Sequence, residues 1–202
     1  SSKELVFQAY KDGLKRLLLP SLKREALSEL KEKASSDAII LFGKNLKELL
    51  LTPPLVNQVI LGMDPGYVSG CKLAVIDING DYLASNVIYP TKPREDFTSS
   101  SKIVLELIKK YKINSIAIGN GTASQETAAF VAKLIEENKL DVKFAIVSEI
   151  GASVYSASKI AIQEYPNLDV TIRGAISIAQ RLRDPMAALV KIDPKSLGIG
   201  QY

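Results

Sequence analysis

The sequence contains no histidine and a single cysteine, Cys71, among 202 residues. The missing histidine excludes a Ser-His-Asp triad, a Cys-His pair, a histidine-ligated metal and a histidine general base. Any catalysis therefore rests on carboxylates, lysine, tyrosine or hydroxyls. One cysteine excludes an intrachain disulfide and a cysteine zinc cluster, which makes a reducing cytoplasm the expected compartment. Long apolar runs are lacking too. The longest uncharged stretch, residues 49–63, holds Pro53 and Pro54 and is shorter than the roughly 20 residues of a membrane span. No internal repeat or low-complexity tract is present. Charge of one sign is nearly balanced: the net formal charge is +4, a surplus that permits contact with nucleic acid without demanding it. What the sequence has is 47% apolar and 24% charged residues, the balance of a globular chain whose core needs neither disulfide nor structural metal. It opens on Ser-Ser-Lys-Glu, with neither an initiator methionine nor a signal-peptide apolar region, and is expected to be an excised fragment.

The hydrophobic period changes along the chain. Leu22, Ala26, Leu30, Ala34 and Ala38 recur every fourth position, which predicts one long helix over 21–51, started by Pro20 with Ser21 as its N-cap. Thr52-Pro53-Pro54 marks its end and a domain boundary. From Val59 the segments are short and rich in β-branched residues: 59–63, 72–78 and 82–89, the last two joined by Asn79-Gly80, a hairpin signal because both turn residues tolerate positive φ. After a polar loop over 92–101 the pattern becomes helix 103–111, strand 115–118, helix 125–137, strand 143–147 and helix 152–163. Strands alternating with amphipathic helices imply parallel pairing through right-handed crossovers. A helical segment, 171–183, and a short helix from Pro185 through Val190 follow. The expectation is an α/β protein with a mixed sheet in the order β-β-β-α-β-α-β-α, the element order of the ribonuclease H-like fold, with flanking helical segments. Actin-like ATPases and sugar kinases share that order, but they need a second phosphate loop, and Asp64-Pro65-Gly66 has no duplicate.

Three carboxylates are candidates for chemistry. Asp64, in Leu61-Gly-Met-Asp-Pro-Gly66, stands at the carboxyl end of the first strand, where open α/β sheets place ligands; the alternative is an Asx-turn. Glu149 follows the strand ending at Val147, and parallel pairing would bring it to the same sheet edge. Asp184 opens Asp184-Pro185-Met186, which equally describes an N-cap with proline at N1. Converging carboxylates would bind one or two Mg²⁺ or Mn²⁺ ions and neutralise a scissile phosphate. Asn120 and Thr122, in Asn120-Gly121-Thr122, could meet phosphate at a helix N-terminus or simply turn the chain and cap that helix. Arg94, Arg173 and Arg181 are further candidate phosphate contacts, although scattered bases more often solvate a surface. Tyr155 reads as helix packing and Cys71, without a partner, as inert.

Several stretches carry a family resemblance: Leu61-Gly-Met-Asp-Pro-Gly66, Ile116-Ala-Ile-Gly-Asn-Gly-Thr-Ala-Ser124, Val147-Ser-Glu149 with Gly151-Ala-Ser-Val-Tyr-Ser-Ala-Ser158, Arg173-Gly-Ala-Ile-Ser177 and Leu197-Gly-Ile-Gly-Gln-Tyr202. On these, residues 3–202 resemble the central part of the Tex family of bacterial transcription accessory proteins. The resemblance implies helices flanking the central domain over 1–57, a YqgF-type ribonuclease H-like domain over 58–193 and the truncated start of a helix-hairpin-helix domain over 194–202. It implies a role in transcription and in binding RNA or DNA, mainly through domains absent from this fragment, with RNA polymerase as a partner and no membrane. YqgF domains are similar in turn to the junction-cutting nuclease RuvC. Asp64, Glu149 and Asp184 then correspond to catalytic acids, and Asp64 with Glu149 to metal ligands. The departure lies at the fourth strand: where those nucleases carry an acid, this sequence has Gly119-Asn120. The resulting expectation is a non-catalytic domain, with a Mg²⁺- or Mn²⁺-dependent nuclease acting on RNA or branched DNA as the alternative.

Overall fold

The computed structural model describes residues 2–199, which divide into a helical unit, residues 2–47 with Ile199, and an α/β unit, Glu48–Gly198. Helix α1 (Ser2–Gly13), a π-helical turn (Leu14–Leu18) and helix α2 (Leu19–Leu50) follow one another without a break. The expected start at Pro20 and Ser21 is therefore corrected. In the turn before Pro20 the Leu19 N–H reaches back five residues to the Leu14 carbonyl, and such a widened turn accommodates a ring that has no N–H to give. No side chain of α1 or α2 is buried, and leucines such as Leu5, Leu27 and Leu30 stand in the open.

The α/β unit carries strands β1 (Ile60–Asp64), β2 (Cys71–Ile76) and β3 (Tyr82–Ile88), then helix α3 (Phe97–Tyr111), β4 (Ser115–Gly119), α4 (Ser124–Asn138) and β5 (Lys143–Val147). Helices α5 (Ala152–Ser156), α6 (Lys159–Glu164), α7 (Val170–Arg183) and α8 (Pro185–Leu189) complete it. The sheet order is β3-β2-β1-β4-β5. β1, β2 and β3 form an antiparallel meander, while β4 pairs parallel with both β1 and β5. This is the mixed sheet of the ribonuclease H-like fold.

Alternation along the strands supplies both faces with apolar side chains. Leu61, Met63, Ile116 and Ile118 pack under α3 and α4, with Val104, Val131 and Leu134. Ile60, Ala74, Ile76 and Ala117 meet Ala175, Ile176, Ile178 and Ala179 of α7. Burying each large aliphatic side chain is worth about 1.5–3 kcal/mol. Gly62 makes the second layer thin, since a β-carbon there would lie 2.8 Å from the Ala179 Cβ and overlap the Ala175 carbonyl.

Local chemistry moves several expected boundaries. The 92–101 segment is loop only to Asp96, whose carboxylate accepts the Ser99 N–H at 3.0 Å and starts α3 at Phe97. The 152–163 helix is two short ones, because Ser158 leaves helical geometry and caps α6. In the β2–β3 hairpin only Gly80 takes positive φ, +94°; Asp77 braces the turn by accepting the N–H groups of Asn79 and Asp81. Residues 194–196 form a 3₁₀ turn, and 200–202 of the expected helix-hairpin-helix entry lie outside the described residues. Among those residues no helix is long and apolar enough to cross a membrane.

Candidate functional site

Asp64 ends β1, Glu149 follows β5, and the two carboxylates line one cavity of about 320 Å³ with Ser153, Ser156, Thr171 and Gly174. The juxtaposition comes from the parallel register β1-β4-β5, which ends all three strands on one edge. Burial pushes the Asp64 carboxyl up to about 6; the nearby Glu149 charge adds to this and the Lys72 ammonium opposes it. Lys72 is the cross-strand partner of Asp64. It is itself buried, and its Nζ donates to the Ser69 and Gly70 carbonyls at 2.8 and 3.1 Å. Its role was invisible in the sequence because it depends on strand register.

Glu149 is held through its backbone. Its N–H donates to Asn120 Oδ1 at 3.0 Å. The carbonyls on either side accept from Arg181: Ser148 from Nη1 at 3.2 Å and Ile150 from Nη2 at 2.9 Å. Arg181 is only 4% exposed, and burial lowers its pKa to about 10. The guanidinium and the amide, both expected as phosphate contacts, are thus committed to the loop that carries Glu149.

The carboxylate of Glu149 in turn occupies the end of β4. A β-carbon at Gly119 would stand 2.7 Å from Glu149 Oε2, and one at Gly121 would overlap the carboxylate. Glu149 therefore fills the room that a fourth-strand acid would need. On the opposite wall a β-carbon at Gly174 would lie 3.1 Å from Asp64 Oδ2, so the residue of α7 that meets Asp64 brings no ligand.

The other candidates lie elsewhere. Asp184 caps α8 by accepting the Ala187 N–H at 2.9 Å. Its neighbour Arg183 accepts the Leu55 N–H through its carbonyl at 2.9 Å, which puts this end of α7 beside the chain entering β1, while Asp64 is where β1 ends. Ten helical residues, about 15 Å, separate Asp184 from Gly174; it does not join the pair. Arg94 stacks on Tyr89, 4.1 Å from the ring centroid. Arg173 has Nε and Nη1 buried without an acceptor. Thr122 is exposed, and α4 is capped by neither Thr122 nor Asn120 but begins after Ala123, at φ +60°. Tyr155 is buried, its hydroxyl donating to Glu164. Cys71 is buried as well, its thiol pushed up by desolvation and by the Asp64 charge.

Mg²⁺- or Mn²⁺-dependent phosphoryl transfer places two ions between several carboxylates. Among the described residues no group of three or more acidic, histidine or cysteine side chains could hold a metal. Two carboxylates, faced by Gly119, Gly121 and Gly174, do not fit a two-metal centre.

Residues 58–183 match the family described as "Tex protein YqgF-like domain". The chain is 48% identical over 186 residues to Protein tex of Bordetella pertussis, covering 92% of this chain and 24% of that protein. It is 46% identical over 202 residues to the YdcI protein of Bacillus subtilis, covering 100% and 28%. It is 43% identical over 202 residues to human S1 RNA-binding domain-containing protein 1, covering 98% and 20%. The chain thus spans about a quarter of the length of the bacterial relatives it matches. Among solved structures, Thermus thermophilus RuvC aligns with a TM-score of 0.45 at 16% identity, over 71% of this chain and 98% of that one. With a domain match over well more than half of its length and relatives at nearly one-half identity, the chain belongs to the Tex family.

Proposed function

We propose that this chain is the central part of a Tex-type transcription accessory factor, and that its ribonuclease H-like domain, residues 58–193, acts as a nucleic-acid-associated module without nuclease activity. The observation that carries the reading is the filled end of β4: the Glu149 carboxylate sits where another acid would have to stand, leaving too few ligands to charge-balance a scissile phosphate. The helical segment 1–57 flanks this module, residues 194–202 lead toward a helix-hairpin-helix domain, and the factor works in the cytoplasm beside RNA polymerase. The names of the relatives, a transcriptional accessory protein and an S1 RNA-binding domain-containing protein, agree with RNA or DNA as the partner.

The test has two arms. Fluorescence anisotropy at low salt should show binding of single-stranded RNA or DNA, and incubation of labelled single strands and four-way junctions with Mn²⁺ should leave them intact. Mn²⁺-dependent cutting that disappears in Asp64→Ala would overturn the non-catalytic reading in favour of a nuclease. Absence of any binding would overturn the nucleic-acid reading.

A further inference from the structure

We infer that the unit holds a nucleic-acid backbone at the amino edge of β4 and β5, the edge opposite the carboxylate cavity, through Lys109, Lys110, Lys112, Lys139 and Lys143. This rests on the nucleic-acid reading above and assigns it a surface. Over Glu48–Gly198 the basic and acidic residues are equal in number, sixteen of each, so the unit as a whole has no attraction for a polyanion. Their distribution does. Helix α3 ends with Lys109 and Lys110 in its last turn and Lys112 at its C-cap, and the chain then enters β4; α4 ends at Asn138 with Lys139 at its C-cap, and the chain enters β5 at Lys143. Lys143 is the register partner of Ser115, and its N–H donates to the Asn114 carbonyl at 3.2 Å. Adjacent strands are about 4.8 Å apart, so the two lysine groups share one edge. All five side chains are exposed. Glu136, Glu137 and Asp141 are the acids in the same connections, and Glu137 is paired with Lys133 at 3.7 Å. The other edge carries Asp64 and Glu149 and repels phosphate.

Helix electrostatics accounts for part of the pattern, because cations near a helix C-terminus are favourable. It does not account for the cap positions. Lys112 and Lys139 both adopt left-handed backbone, at φ +53° and +50°, where glycine or asparagine is preferred and a side chain adds strain. Among the described residues none of Lys109, Lys112, Lys139 and Lys143 has an ion-pair partner. Two of the five non-glycine residues with left-handed backbone among the described residues are thus unpaired lysines on this one edge, where their charges are free to meet a polyanion. Contiguous cations that track phosphates are the electrostatic footprint of nucleic-acid binding. Tyr111, half-buried against the core, has Lys110 Nζ 5.0 Å over its ring, which holds that ammonium at the edge.

The test compares the 202-residue chain with the triple variant Lys112→Gln, Lys139→Gln, Lys143→Gln, using a fluorescent single-stranded RNA across a salt series. The affinity at low salt should fall by about tenfold or more, and the slope of log K against log salt should lessen by about 0.7 for each phosphate no longer neutralised. Lys112→Gly with Lys139→Gly should raise the melting temperature while weakening binding, opposite signs that a purely structural role would not give. Should the parent chain fail to bind RNA, the nucleic-acid reading falls and this surface with it. Equal binding by parent and triple variant leaves that reading standing and overturns this surface. Competition by polyglutamate as effective as by RNA of equal charge would also overturn it, assigning the edge to an acidic protein.

Discussion

Asp64 shows how a single side chain can work against the stability of the fold that holds it. Its carboxyl titrates near 6 in the folded chain against 3.8 for the ordinary group, so the folded state takes up the proton more readily than the unfolded state. The penalty is absent below pH 4, develops as pH rises from about 4 to about 6, and is complete above that. Allowing for partial solvent screening, it amounts to about 2 kcal/mol. In EDTA-containing buffer Asp64→Asn should therefore melt several degrees higher than the parent at pH 8, and the difference should vanish at pH 4. Thermal scans across that range check it. Arg181 works in the opposite direction. Replacing it with leucine leaves the Ser148 and Ile150 carbonyls without a donor and should cost about 2 kcal/mol in chemical denaturation. Arg181→Lys, which cannot fork to both carbonyls, should recover only part of the loss.

At the scale of elements, α7 is set on the sheet by absence of side chains. Gly62→Ala would force its β-carbon into the Ala175 carbonyl and against Ala179. Backbone atoms cannot swing aside as a side chain does, so the substitution should cost about 3 kcal/mol or more, read as a fall in denaturation midpoint with an unchanged m-value. Gly121→Ala meets only the mobile end of Glu149 and should cost about 1 kcal/mol, an effect that disappears in a Glu149→Ala background because the two positions are coupled. The strands, their order and the shared edge of Asp64 and Glu149 were legible in the sequence, because apolar alternation and short turns record them locally. The limits were equally physical. Asp184 matches an acid of the last helix in sequence order, yet helical rise carries it away from the cavity. Asn120 and Arg181 look like free polar groups in a sequence, and only the packing of α7 across the sheet turns them toward the Glu149 loop. Pro20 reads as a helix start because the widened turn before it leaves no sequence signature.

Over the whole molecule, the two units differ in what supports them. The α/β unit has two apolar layers around its sheet, whereas the side chains of α1 and α2 are not buried. Truncation to residues 48–198 should thus leave a cooperative calorimetric transition within a few degrees of that of the full chain. A peptide of residues 2–47 should show helicity that falls gradually with temperature, without a cooperative transition, since an isolated helix gains little from packing. Inside the α/β unit, α7 is fastened at three places: through Gly174 against Asp64, through Arg181 to the Glu149 loop, and through Gln180 and Arg183 to the β2–β3 hairpin, where Gln180 donates to the Gly80 carbonyl at 2.6 Å and Arg183 to that of Ile78 at 3.2 Å. A rod clamped along its length has little freedom to slide or turn over the sheet, so the hairpin, the Glu149 loop and the wall that faces Asp64 share one support.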